Sequence, residues 1–215
     1  METVGPFTRK LWDTIHPVYE QIINCLFVRR LMDGTLPRNW FTHYLSQDVL
    51  YIIDDSRALA VTAARAKNPD EMYFFLQMAK DGLDIERALH DDFIRQFNIH
   101  GTVKKLPAFN AYADFLLNNA FNSPYPVAVA ALLPCFWVYY KMGEYVFKNT
   151  IDDNPYRKWI DTYSGDEYMQ YTKKFIHITE NLGQKADPVI RKQMVSAFTE
   201  GAKHELQVLE EASNQ

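Results

Sequence analysis

Apolar residues recur at helical spacing along almost the whole chain, and no segment sustains the strict alternation that marks a half-buried strand. The pattern predicts an all-α protein. Leu11, Ile15, Val18, Ile22 and Leu26 mark one face of a first helix, which is expected to stop near Asp33-Gly34, where glycine supplies the left-handed C-terminal turn. A second helix is expected from about Pro37 to Lys67. Asn68-Pro69 offers a side-chain acceptor followed by proline at the first helical position, and opens a third that continues to about Gly101. After Lys104-Lys105-Leu106-Pro107 a fourth runs to Phe121, and the Ser123-Pro124-Tyr125-Pro126 turn separates it from a fifth ending near Asn149. A short element covers Pro155 to Tyr163. Ser164 with Glu167 reads as a capping box for a sixth long helix ending at Gly183, and Pro188 opens the last. Long helices joined by short turns, with no internal repeat or long linker, imply one compact bundle over residues 1–215.

Projecting each helix shows which chemically active residues fall on its buried face. In the second helix Phe41, Tyr44, Tyr51 and Ile52 share a face with Asp48 and Asp55. An unpaired carboxylate there costs several kcal/mol. In the fifth helix Ala128, Ala131, Leu132, Val138, Tyr139 and Met142 surround Cys135, and in the last Met194, Phe198, Gly201, Val208 and Leu209 surround Glu205. Each has two readings. A cysteine on an apolar face is an inert small hydrophobe or a nucleophile, and Cys25 beside Ile22 takes the first reading outright. A carboxylate on such a face is paired structurally or is catalytic, and tyrosines there are core or ligand contacts. Pro134 leaves the Ala130 carbonyl without its helical partner, which either opens space beside Cys135 or bends the helix around the core.

Composition narrows the field. The chain is 47% hydrophobic and 23% charged over 215 residues, ordinary for a globular protein of one sizeable core. Thirteen Tyr, fourteen Phe and four Trp favour an aromatic-lined pocket. A net charge of −4, with basic residues scattered in pairs, argues against nucleic-acid partners. Two cysteines are too few for a disulfide framework and fit a reducing cytoplasm. Met1 to Lys10 has no signal-peptide pattern, and the apolar stretch from Pro126 is expected to be a buried core helix rather than a membrane span.

These residues carry a resemblance. Phe41-x-x-Tyr44-x-x-Gln47-Asp48-x-x-Tyr51, Leu133-Pro134-Cys135-Phe136-Trp137-x-Tyr139-Tyr140-x-x-Gly143, Trp159-Ile160-x-x-Tyr163 and Glu205 together resemble the TenA/thiaminase II family along nearly the whole chain. The Pro-Cys block is the most specific. The resemblance implies a heme-oxygenase-like helical bundle, usually a homotetramer, with no metal and no heme. It implies hydrolysis of 4-amino-5-aminomethyl-2-methylpyrimidine to the hydroxymethyl pyrimidine and ammonia, and in many members cleavage of thiamin.

Carried to this sequence, the resemblance makes Cys135 the nucleophile that adds to the ring and Glu205 the acid and base. Asp48 would bind the ring nitrogen and amino group, Tyr51 and Tyr139 would flank its faces, Tyr163 would orient Glu205 and Tyr112 would line the site. Thiolate addition makes the ring electron-rich enough to expel an amine that is otherwise a poor leaving group. Family members commonly carry Phe-Trp shortly after the glutamate, where this chain has Val208-Leu209. That departure bears on pocket size or helix packing.

Two other classes stay open. A dinuclear-metal oxidase on a related bundle would need paired Glu-x-x-His motifs. The nearest patterns are Asp13-x-x-His16, Glu86-x-x-x-His90 and Glu200-x-x-x-His204. A non-catalytic protein that holds a pyrimidine or thiamin would have no need of a nucleophile beside an acid.

Overall fold

The computed structural model describes the backbone of residues 3–97 and 104–213, and the side chains of these apart from 85–97, Ser164 and Glu167. Every regular element among the described residues is an α-helix: α1 (Pro6–Asn24), α2 (Leu26–Met32), α3 (Arg38–Arg65), α4 (Pro69–Phe97), α5 (Pro107–Asn122), α6 (Tyr125–Asn149), α7 (Arg157–Ser164), α8 (Asp166–Lys185) and α9 (Pro188–Ala212). A continuous buried cluster draws on all of them, from Leu11 and Ile15 in α1 to Leu209 in α9.

The helix starts follow local chemistry where the sequence supplies it. Asn68 Oδ1 accepts the Asp70 N–H at 2.9 Å before α4. Asp187 Oδ1 accepts the Val189 and Ile190 N–H groups at 2.8 and 2.9 Å ahead of α9. Both satisfy donors that a first turn otherwise leaves orphaned. At α1 the N-cap is Gly5, and the acceptor comes from far along the chain. Glu180 of α8 takes the Thr8 N–H at 2.7 Å, the Thr8 hydroxyl at 2.8 Å and the Phe7 N–H at 3.3 Å.

Two boundaries depart from the sequence pattern. The expected single first helix breaks at Cys25, whose backbone is extended (φ −66°, ψ 158°), so α2 turns away from the line of α1. Leu26 consequently lies 39% exposed instead of sharing the buried face of Ile22. Gly34 does take the left-handed conformation (φ 73°), and Asn154 Nδ2 donates to the Leu31 carbonyl at 2.6 Å to finish α2. Second, α8 starts at Asp166 with Gly165 as N-cap, while Ser164 ends α7. The side chains of the expected Ser164–Glu167 box lie outside the described residues, as do the expected last residues of the third helix, 98–101.

At the fifth expected helix the limits agree: α6 ends at Asn149 and runs unbroken through Pro134 for 25 residues. It is long and apolar enough to cross a membrane, yet 78% of its most apolar window is buried inside the protein. The proline ring sits against α9: a Cβ on Gly201 would fall 2.8 Å from Pro134 Cγ and 3.1 Å from the Ala131 carbonyl oxygen. Glycine at 201 therefore allows α9 to approach α6 beside the turn that carries Cys135. Space is closed on that side rather than opened.

Candidate active site

A cavity opens between α3, α4, α6, α7 and α8, enclosing about 800 Å³ with its open mouth included. A concave, mostly apolar cleft with a few polar groups suits a small molecule. From α3, Asp48, Tyr51, Ile52 and Asp55 face it, which is the i, i+3, i+4, i+7 stripe of one helical face. Cys135, Phe136 and Tyr139 of α6 form a second wall, and Tyr163 of α7 with Tyr168 and Tyr171 of α8 a third. Met78, Asp81 and Gly82 of α4 complete it. Three of these residues are aspartates and none is lysine, arginine or histidine.

Tyrosine packing fixes the wall. Tyr44 and Tyr139 share a hydrogen bond of 2.8 Å between hydroxyls. The Tyr139 and Tyr163 rings lie 5.4 Å apart, and Tyr163 rests on Trp159 at 4.7 Å and edge-on to Tyr168 at 5.5 Å. Tyr171 donates to Asp81 Oδ2 at 2.7 Å, and Gln77 donates to Asp81 Oδ1 at 2.7 Å. Gln47 faces the other way. It accepts the Leu106 N–H at 2.7 Å and donates to the Lys104 carbonyl at 3.2 Å, fastening the segment that leads into α5.

Glu205 sits one layer back. Neither it nor Tyr112 lines the cavity; Tyr112 stacks on the cavity residue Tyr51 at 5.0 Å and donates to Glu205 Oε1 at 2.5 Å. Such a short bond is typical of a hydroxyl held by a carboxylate. On its other face Tyr112 stacks on His204 at 5.1 Å and 12°. Burial lowers the His204 pKa, keeping that imidazole neutral in the stack. The hydrogen bond expected from Tyr163 to Glu205 comes instead from Tyr112, while Tyr163 faces the cavity with no hydrogen bond to Glu205 among the described residues.

Burial dominates the electrostatics. Asp48 and Asp55 are each 7% exposed, and Asp48 Oδ2 and Asp55 Oδ1 are buried with no hydrogen-bond partner among the described residues. Burial pushes both carboxyls up to about 7, with the Asp48 charge adding to the effect on Asp55. Glu205, 1% exposed, is pushed up to about 8 by burial despite the downward pull of the Tyr112 hydrogen bond. Burial also raises the Cys135 thiol well above its usual value, followed by the charges of Asp55 and Glu205 and, more weakly, of Asp48. The Tyr51 hydroxyl acts against this. Its contact is loose, since Tyr51 Oη has no partner at regular hydrogen-bond geometry. The site therefore holds a protonated thiol among carboxyls that titrate near neutrality.

Asp48, Tyr51, Cys135, Tyr139 and Tyr163 thus meet at one cavity, with Glu205 and Tyr112 adjoining it. Asp55 was legible only as a second carboxylate on the face of Asp48, and Tyr168 and Tyr171, three residues apart on α8, gave the same helical signal without a motif. Cys25 is a partly buried free thiol remote from this cavity's lining. No group of three or more His, Cys, Asp or Glu is arranged to hold a metal among the described residues; the His90 side chain lies outside them.

Residues 12–215 match the family described as TENA/THI-4/PQQC. The chain belongs to that family. This TENA/THI-4/PQQC chain is 32% identical over 212 residues to the thiamine biosynthesis multifunctional protein ThiED of Corynebacterium efficiens, covering 98% of itself but only 29% of that protein's length. It is 29% identical over 185 residues to an aminopyrimidine aminohydrolase of Bacillus subtilis, covering 84% of itself and 78% of the relative. A solved TenA homologue from Pyrococcus furiosus superposes with a TM-score of 0.91 at 20% identity, over 96% of this chain and 100% of that one. A heme-oxygenase-like domain of unknown function from Shewanella denitrificans superposes with a TM-score of 0.74 at 13% identity, over 98% and 93%. These two likenesses carry the fold, which is heme-oxygenase-like.

Within the TENA/THI-4/PQQC chain, Val208 and Leu209 are 3% and 1% exposed, belong to the core, and line no part of the cavity. In this chain the two positions that depart from an aromatic pair serve the packing of α9.

Proposed function

We propose that this chain is a hydrolase of thiamin salvage that converts 4-amino-5-aminomethyl-2-methylpyrimidine to the hydroxymethyl pyrimidine and ammonia, and that it also cleaves thiamin. The observation that carries the reading is the cavity in which the Cys135 thiol faces the unpartnered carboxyl of Asp48 between tyrosine rings. Likeness to aminopyrimidine aminohydrolases supports it.

The chemistry follows from the residue types. Asp48, titrating near 7, accepts from the exocyclic amine and shares a proton with the ring nitrogen, while Tyr51 and Tyr139 flank the ring. Cys135 Sγ bonds to a ring carbon, and its proton passes to a ring nitrogen that receives the displaced electron pair. The electron-rich ring then breaks the C–N bond at the methylene. Nitrogen leaves as ammonia, its third hydrogen supplied by Glu205 if the amine is neutral or brought by the substrate if it arrives as ammonium. Water bonds to the methylene carbon and gives up a proton to Glu205 or to the released ammonia. Finally the S–C bond breaks and the thiol recovers its proton. Amine and water have become alcohol and ammonia.

The same reading makes residues 1–215 one domain of a cytoplasmic homotetramer. Met72, Leu76 and Leu83 form an exposed apolar stripe on α4 that suits burial against another copy. Light scattering tests the assembly.

Ammonia release from the aminomethyl pyrimidine, with thiamin as competitor, tests the activity. Release by the wild-type chain and at least a tenfold loss in Cys135→Ser are expected. Tight binding without ammonia would leave a binding protein, and a Cys135→Ser variant retaining more than about a tenth of the rate would remove the covalent step.

A further inference from the structure

The cavity holds more negative charge than the ring chemistry uses. Asp48 suffices to bind the pyrimidine edge, yet Asp55 faces the same space with Oδ1 buried and accepting no hydrogen bond. An ionised group so placed is costly unless something positive meets it. None of the described lining residues is a lysine, arginine or histidine. The third aspartate differs, because Asp81 is already held by Tyr171 and Gln77 and has Lys80 Nζ at 4.0 Å. Among the described residues, Asp55 is the carboxylate left for a ligand.

Its position says which part of the ligand. Asp55 lies seven residues beyond Asp48 on one face of α3, about 10 Å along the axis at 1.5 Å per residue. A pyrimidine ring anchored at Asp48 therefore points its substituent, and not its own edge, toward Asp55. Of the carboxylates acting on the Cys135 thiol, Asp55 acts most strongly and Asp48 least, consistent with Asp55 lying on the sulfur side.

We propose that Asp55 is the specificity-determining carboxylate of this cavity, binding the positively charged group carried on the 5-methylene carbon of the substrate. This rests on the aminopyrimidine reading of the site and adds the charge state of the substrate to it. The ammonium of the aminomethyl pyrimidine and the thiazolium of thiamin present the same chemistry there, a cation one bond from the ring's methylene. The hydroxymethyl product presents a neutral hydroxyl. An anionic wall therefore favours substrate over product, which assists release after each turnover. The overall reaction balances with one cation exchanged for another: the ammonium substrate and water give the alcohol and an ammonium ion. In that form the leaving nitrogen carries its third hydrogen from the start, and Glu205 serves to relay the proton of water.

Calorimetric titration of aminomethyl pyrimidine, hydroxymethyl pyrimidine and thiamin at pH 7 tests the proposal, using Cys135→Ser protein to block turnover. The cationic amine is expected to bind at least tenfold more tightly than the alcohol. Adding Asp55→Asn should weaken the amine about tenfold or more and the alcohol less than about threefold. Asp48→Asn should weaken both alike, and Asp55→Glu should keep the preference for the amine. Thiamin weakened with the amine supports a site for any cation on the methylene, and thiamin unaffected supports one for ammonium. Equal binding of amine and alcohol in the parent protein would overturn the proposal without any Asp55 variant, as would equal weakening of both by Asp55→Asn. The proposed reaction fails on a different readout: a wild-type chain that prefers the amine but releases no ammonia keeps the charge reading and loses the hydrolase.

Discussion

The hydroxyl of Tyr112 donates to Oε1 of Glu205 across 2.5 Å, tying α5 to α9 directly behind the ring of Tyr51. A hydrogen bond to the charged form lowers a carboxyl's pKa, and here it opposes a burial effect that has carried Glu205 up to about 8. Tyr112→Phe removes the bond that lowers it, so the pKa rises further. The alkaline limb of kcat is expected to move to higher pH, and kcat near pH 7 to fall about tenfold or more, since such a bond contributes roughly 1.5–3 kcal/mol. A pH–rate profile checks this. An unmoved limb would assign it to a group other than Glu205.

Close approach of α6 and α9 gives a second expectation. A Cβ at 201 would meet Pro134 Cγ at 2.8 Å and the Ala131 oxygen at 3.1 Å, both rigid parts of α6. Gly201→Ala should therefore destabilise by about 1–3 kcal/mol and lower Tm by roughly 2–10 °C. Displacing the turn before Cys135 should also reduce activity at temperatures where the variant is fully folded. By contrast, a Cβ at Gly165 meets nothing nearer than 3.5 Å, and its backbone (φ −73°, ψ 155°) suits alanine. Gly165→Ala is expected to leave Tm unchanged or slightly raised.

Glu180 ties the start of the chain to α8. Its carboxylate accepts from the Thr8 N–H, the Thr8 hydroxyl, the Phe7 N–H and Gln184 Nε2. Glu180→Ala strands two backbone donors at the first turn of α1 and should destabilise by about 2–4 kcal/mol, without changing the affinity for a pyrimidine. Chemical denaturation and ligand titration of the same protein separate the two effects.

The buried carboxyls of the cavity make stability depend on pH in an unusual direction. In the folded chain Asp48 and Asp55 keep their protons up to about pH 7 and Glu205 up to about 8, whereas unfolded carboxyls lose theirs near pH 4. Between these limits the folded state binds more protons, so unfolding free energy falls as pH rises from about 4 toward 8. Glu180 acts oppositely. Burial pushes its carboxyl upward, but the hydrogen bonds from Thr8, Gln184 and Phe7 outweigh that and bring it below the ordinary value, so its contribution is lost as pH falls. Melting curves of the ligand-free protein should give a higher Tm near pH 5 than at pH 8. Asp55→Asn should flatten that slope and raise Tm at pH 8, because it removes a buried charge that no described protein group neutralises. A Tm that rises steadily from pH 5 to 8 would contradict the buried, unpaired state of these groups.

The sequence alone determined the helical architecture, most helix limits and the residues placed on inward faces. Those features are local: a 3.6-residue period, an Asn-Pro start or an Asp-Pro start is written within one turn of chain. It also carried the motifs that bring Asp48, Tyr51, Cys135, Tyr139 and Tyr163 to one cavity. The break at Cys25 was invisible because apolar spacing continues through it, and the direction of α2 is set by tertiary contacts such as Phe27 on Tyr44 and Asn154 on the Leu31 carbonyl. Which tyrosine holds Glu205 depended on the relative rotation and distance of α5, α7 and α9, quantities fixed by side-chain packing between helices far apart in sequence. For the same reason Asp55 could be placed on a face by periodicity, but its want of a partner could be known only once every neighbouring helix had been set against it.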